Sequence, residues 1–223
     1  MRNHKPTNIV AGITALAAAV WLVFSLADMP PGADLNAPRA AGWALGEETL
    51  ALLKPGGHVT VITWDTASFA HPEADALLKS FTRTLRKSNV EIESVHQLQV
   101  DPLRPIEVPA GDFFEFIRTA SSGSVIVSFL GPPLLNDDQR SRLGDVKPKI
   151  VALCPGALPA QIDLRVLFQA GILHAAVVSN PELAREHSDP GDPRVCFEKH
   201  YKRVTASDVA SLYMSSGERR ANP

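Results

Sequence analysis

Two runs, Ser124 to Leu130 (SVIVSFL) and Ile172 to Val178 (ILHAAVV), are apolar at almost every position instead of at alternate ones. A strand of that kind has no wet face, so it belongs in a sheet covered on both sides. His58 to Trp64 (HVTVITW) and Lys149 to Cys154 (KIVALC) are only slightly more polar. Between these runs lie helical segments: Pro72 to Ser88, with Ala76, Leu77, Phe81, Thr84 and Leu85 on one face, and Asp112 to Ala120, with Phe113, Phe116 and Ile117 inward. Asn136 to Leu143 reads as a short polar helix and Ala160 to Gln169 as a helix closed by Gly171. Buried strands alternating with helices require a parallel sheet with right-handed crossovers, which is the doubly wound α/β class.

Val90 to Gln97 differs, because Val90 and Ile92 oppose Glu91 and Glu93 as in a strand with one wet face. It belongs at an edge, and the expected order of a five- to six-stranded, mostly parallel sheet is near 2-1-3-4-5. Arg194 to Thr205 reads as an added edge strand bearing Cys196, Phe197 and Tyr201, its lysines suiting an exposed edge. Ser207 to Ser215 reads as a last helix, capped by Thr205.

Ahead of this domain, Ile9 to Ala27 contains nineteen residues without a charge, close to the ~20 that a helix needs to span a bilayer. Arg2 and Lys5 precede it and Asp28 and Asp34 follow, so the basic flank orients residues 1–8 to the cytoplasm and the rest outside. The segment reads as a transmembrane anchor or, with Ser25-Leu26-Ala27 as a cleavage site, as a signal peptide that leaves a secreted or periplasmic protein. Residues 28–44, rich in proline and small side chains, are expected to form a tether, with a first helix from Leu45 to Leu53, an extracytoplasmic domain over 45–216 and a disordered tail over 217–223.

Composition narrows the function. The 22 basic residues are scattered among 24 acidic ones for a formal charge of −2, so no footprint for nucleic acid exists. Neither G-x-x-x-x-G-K-[ST] nor G-x-G-x-x-G nor G-x-S-x-G occurs, and the seven histidines are dispersed, so no cofactor and no metal is implied. Cys154 and Cys196 fit no metal or redox spacing; in an oxidising compartment they either bond or remain two buried thiols.

In open α/β sheets ligands bind beyond the carboxyl ends of the strands, where the order reverses. One rim is thereby expected to gather Thr63, Trp64, Asp65, Thr66, Ser128, Cys154, Ser179 and Asn180 as a ligand or partner site. Asp65 ends the first strand beside a tryptophan and is the candidate acid or base should the domain be an enzyme. No catalytic constellation accompanies it, and D-T-A-S-F lacks a second aspartate two residues on.

The run from Leu45 to Pro105 (LGEETLALLKPGGHVTVITWD, then FTRTLRKSNVEIESVHQLQVDPLRP) resembles the extracytoplasmic domains of GldG-like ABC-transporter auxiliary proteins, which also follow a membrane helix. The alternation from His58 to Asn180 resembles one lobe of a type I periplasmic binding protein. The first resemblance implies a membrane-anchored accessory domain that docks on another membrane or envelope protein; the second implies a periplasmic small-molecule-binding protein, with an extracytoplasmic enzyme using Asp65 as a third reading.

Overall fold

A computed structural model describes residues 34–66, 71–99, 108–144, 147–180, 192–210 and 212–213. The chain divides into two units, 1–34 and 35–223. The expected membrane segment Ile9 to Ala27 and the tail 217–223 lie outside the described residues. Among the described residues no helix is long and apolar enough to cross a membrane.

The second unit carries a six-stranded sheet in the order β2-β1-β3-β4-β5-β6. Its strands are β1 (Val59–Trp64), β2 (Ile92–Leu98), β3 (Val125–Ser128), β4 (Lys149–Cys154), β5 (Ala175–Ser179) and β6 (Tyr201–Val204). The first five pair in parallel and β6 joins β5 antiparallel. The expected α/β class and strand order are therefore observed. β3 and β4 are buried along almost their whole length, whereas β2 alternates half-buried and exposed positions, as its charge pattern requires at an edge.

Helices cover both faces. On one side α1 (Asn36–Leu52), α2 (Pro72–Lys87) and α7 (Pro193–His200) enclose Val59, Val61, Phe81, Val127, Phe129 and Leu153. On the other, α3 (Ala110–Thr119), α5 (Leu158–Gln161) and α6 (Leu164–Gln169) lie over Ile62, Ile126, Ile150, Ala152 and Val178, and Leu135 and Leu143 on either side of the exposed α4 (Asp137–Arg142) pack into the same core. Alternate residues of each strand thus feed two separate cores. The α4 start is fixed by a reciprocal capping box, in which Asn136 Oδ1 accepts from the Gln139 N–H and Gln139 Oε1 accepts from the Asn136 N–H.

Four expectations need correction. The helix placed at Leu45 begins at Asn36, so residues 36–44 of the expected tether are part of the domain. Ala40, Ala41, Gly42 and Ala44 are buried there; small residues that read as linker are, with Gly46 of the expected helix, a contact face against α2. Pro38 is accommodated because it stands in the first turn, where its missing N–H has no intrahelical partner to lose. The strand expected over Arg194 to Thr205 is a helix followed by a four-residue strand. Asp192 accepts from the Arg194 N–H as N-cap and Pro193 occupies the first helical position, so Cys196 and Phe197 are helical.

The helix expected over Ala160 to Gln169 is two short helices, separated at Asp163, which caps the second through the Arg165 N–H. Lastly, the strand expected from Ile172 starts at Ala175, although Ile172 and Leu173 are buried. Of the last expected helix, residues 209, 210, 212 and 213 are helical. Asp208 accepts from both the Thr205 N–H and its hydroxyl, which fastens the entry to that turn.

Candidate functional site

The rim at the carboxyl ends of the strands does not assemble as one polar surface. Thr63, Ser128 and Cys154 are buried, while Trp64, Asp65, Thr66, Ser179 and Asn180 are half-buried. Ser128 Oγ accepts from the Leu130 N–H at 3.2 Å within a turn at the end of β3. That turn is packed so closely that a Cβ on Gly131 would lie 3.0 Å from Leu158 Cδ2. Ser128 is thereby roofed.

Cys154 is inside the core, where burial pushes its thiol up to about 12, far from the thiolate that nucleophilic or metal chemistry needs. It does not bond to Cys196: no disulfide forms, and the two lie in the cores on opposite faces of the sheet.

What remains of the rim falls into two groups. At the end of β1 the Asp65 N–H donates to Leu98 O at 2.9 Å, and Gln99 Nε2 donates to its carboxylate at 3.4 Å. Trp64 packs between the two cores beside it. Near the end of β5, Ser179 Oγ accepts from the Gly156 N–H at 3.0 Å and the Asn180 N–H donates to His200 O at 2.7 Å. Strands β3 and β4 separate the groups, a span of roughly 14 Å at ~4.8 Å per strand.

A half-open polar space lies at the opposite ends of β1 and β2. The β1–β2 register shifts between Val59 and Thr60: Val59 pairs with Ile92 but Thr60 with Ser94, so Glu93 is the extra residue of a bulge. Ile92 consequently joins the α1–α2 core, while Ser94 and His96 accompany Thr60 and Ile62 to the other face. There α3 stands over them, with the Phe116 ring 4.4 Å from the His96 ring at an interplanar angle of 34°. The result is a cavity of about 340 Å³ between the sheet, the end of α3 and the turn before β3.

Its walls are hydroxyl-rich. Thr60 Oγ1 and Ser94 Oγ are 3.1 Å apart, Ser121 Oγ and Ser124 Oγ 2.7 Å, and Ser124 Oγ accepts from the His58 N–H at 3.1 Å. His58 Nδ1 faces Glu93 Oε1 at 3.5 Å at the mouth. A hydroxyl offers one donor and two acceptor positions, so each keeps capacity for a guest after these bonds. The lining supports hydrogen-bonded binding, and no nucleophile in it is paired with a base. The signal for this site was present in Thr60, Ser94 and His96, polar residues inside strands, and in the S-S-G-S turn at 121–124; a bulge is needed to bring them onto one face.

A second concavity, of about 480 Å³, lies at the other edge of the sheet, between α1, α7 and β6. Its floor is aromatic: Phe197 and Tyr201 stack at 5.9 Å and Trp43 meets Phe197 edge-on at 6.1 Å. Arg203 lies over Trp43 at 5.2 Å and over Phe197 at 5.6 Å, and is held by Glu48 at 3.2 Å. Among the described residues no group of three His, Cys, Asp or Glu is placed to hold a metal ion.

No protein family model matches the chain, and no curated protein is significantly similar to it. Solved structures do share its fold. The arabinose-binding protein AraP from Geobacillus stearothermophilus aligns at a TM-score of 0.50 and 15% identity over 78% of this chain and 62% of its own. A solute-binding protein of an ABC transporter from Burkholderia graminis, in complex with D-arabinose, aligns at 0.50 and 13% over 78% of this chain and 61% of its own. The XylFII–LytSN complex aligns at 0.50 and 12% over 77% and 60%. The chain therefore spans about three fifths of the length of these proteins, and at such identities the likeness concerns the fold alone. It supports the binding-protein lobe and does not bear on the GldG-like resemblance.

Proposed function

We propose that this domain binds a small polar molecule, outside the cytoplasm, in the cavity beneath α3. The observation that carries the reading is convergence. Thr60, Ser94, Ser121 and Ser124 bring hydroxyls from β1, β2 and the turn before β3 to one space of about 340 Å³, beside the His96–Phe116 ring pair. Pockets for small molecules start near 300 Å³ and orient their guest with a few placed polar groups. Hydroxyl donors and acceptors next to a ring face suit an uncharged guest with several hydroxyls. That sugar-binding proteins share the fold supports this chemistry, and an extracytoplasmic place agrees with the expected export segment.

The test is a thermal-shift titration with neutral monosaccharides, D-arabinose among them. A ligand at a hundred times its Kd adds ~2.7 kcal/mol, which for a domain of this size raises Tm by about 5–11 °C. Thr60→Val keeps the side-chain shape and removes its hydroxyl, and is expected to abolish the shift while Asp65→Ala preserves it. The reverse pattern would move the site to the carboxyl rim, and no shift with any sugar would remove the reading altogether.

A further inference from the structure

Glu93 and Ser94 are neighbours in β2, yet both line the cavity beneath α3. In a regular strand adjacent side chains face opposite ways, and the bulge opposite Val59 and Thr60 is what lets these two share a side. It delivers a carboxylate to a space otherwise lined by hydroxyls and rings. Among the described residues lining that space, with histidines uncharged at pH 7, Glu93 carries the one formal charge, and no lysine or arginine is among them. Arg118 of α3 is held by Glu115 at 2.6 Å, and Lys54 lays its stem beside Gly123, outside the lining.

The hydroxyls point the same way when their protons are followed. Thr119 Oγ1 donates to Glu115 O at 2.8 Å, so its proton is spent within α3. One more is spent between Thr60 and Ser94, and one between Ser121 and Ser124. Each pair keeps a single proton for a guest, whereas every oxygen has two acceptor positions and few of them are taken. His58 Nδ1 faces Glu93 Oε1, which leaves Oε2 as a further acceptor. The lining is thus richer in acceptors than in donors. A sugar hydroxyl brings one proton; an ammonium brings three, with no acceptor of its own. It also answers the charge of Glu93, and Phe116 lines the same space with an aromatic ring, whose face attracts cations.

We infer that this cavity prefers an amino sugar, its ammonium on Glu93 and its hydroxyls on Thr60, Ser94, Ser121 and Ser124. The inference rests on the reading of the cavity as a sugar site and adds Glu93 as the residue that selects among sugars.

Isothermal titration calorimetry of the full chain in detergent micelles at pH 7 tests it. D-glucosamine and 6-amino-6-deoxy-D-glucose are compared with D-glucose and with N-acetyl-D-glucosamine, whose amide carries no charge. At least one amine is expected to bind about fivefold tighter than D-glucose, the upper range for an ion pair open to solvent, and the advantage is expected to shrink between 50 and 500 mM salt. Glu93→Gln is expected to bring the ratio to about one, while Glu91→Gln, outside the lining, keeps it; both side chains are exposed, so neither change disturbs the fold. Thr60→Val is expected to abolish binding of the amine as of the neutral sugar. Equal binding of amine and D-glucose, an advantage that survives Glu93→Gln, or one lost in Glu91→Gln overturns the inference alone, since D-glucose still binds. Amine binding that survives Thr60→Val places the ammonium on a surface carboxylate and overturns it as well. If no sugar of either kind binds, the reading of the cavity falls with it.

Discussion

Gly42→Ala is expected to destabilise the domain, although alanine is the better helix former. A Cβ built on Gly42 lies 2.2 Å from Leu77 O, 3.1 Å from Leu77 C and 3.1 Å from Phe81 N, all backbone atoms of α2. Backbone inside a helix cannot rotate aside, so α1 must lift from α2, loosening Ala41, Leu45 and Phe81 in the core beneath. Overpacking of this kind costs typically ~1–3 kcal/mol, and an unyielding neighbour places it near the upper figure. The gain in helix propensity is about 1 kcal/mol, leaving a net loss of about 2 kcal/mol and a Tm lower by about 4–8 °C for a domain of this size. Circular dichroism melting of Gly42→Ala beside Gly111→Ala isolates the cause. Gly111 lies in α3 with nothing within 4 Å of its missing Cβ, so alanine there is expected to raise Tm by about 2–4 °C. If Gly42→Ala melts at or above the parent, α1 does not sit against α2 at this distance. Because Trp43 follows Gly42, the same variant is expected to disturb the aromatic cleft.

The other predictions concern buried titrating groups. His174 Nδ1 accepts from the Ile150 N–H at 3.2 Å, and burial, with Lys149 and Lys147 nearby, lowers its pKa to about 4. The unfolded chain therefore binds a proton near pH 6.5 that the folded one refuses until about 4, so stability falls as pH drops through that window and is complete above 6.5. Full linkage would be ~3 kcal/mol, but the ring is part-exposed and screening reduces this to about 1 kcal/mol. His174→Asn melting curves that keep the same slope between pH 4 and 6.5 would refute the assignment. Cys154, with its thiol near 12, is expected to resist iodoacetamide at pH 8 in the native state, and electrophoretic mobility should not change with reductant; rapid alkylation of Cys154 would contradict its burial.

The strand order and the edge position of β2 were legible because they follow from which faces are apolar, a property each strand carries in its own residues. The start of α4 was legible from its short polar segment, and the capping box at Asn136 is what fixes it; the start of α7 was lost. Asp192-Pro193 is an N-cap followed by proline at the first helical position, yet the lysines and aromatics of 194–205 outweighed it. In residues 36–44 the failure was of another kind. Alanine and glycine in a row read as linker when small size is taken to mean absence of packing, whereas here smallness is what allows two helix backbones to approach.

The expected rim is not one continuous polar surface, for a related reason. Position at a strand end was equated with exposure, but Ser128 is closed over by its own turn and Cys154 by the core around it. Conversely, the cavity depends on a single extra residue, Glu93. Were β2 regular, Ile92 and Ser94, two apart, would share a face, and the strand would present an apolar side chain beside the polar ones. The bulge lets one segment serve both layers, giving Ile92 to the α1–α2 core and Ser94 and His96 to the cavity. The sequence contains the residues of the cavity but states them in the wrong phase, and only the pairing of β2 with β1 corrects it.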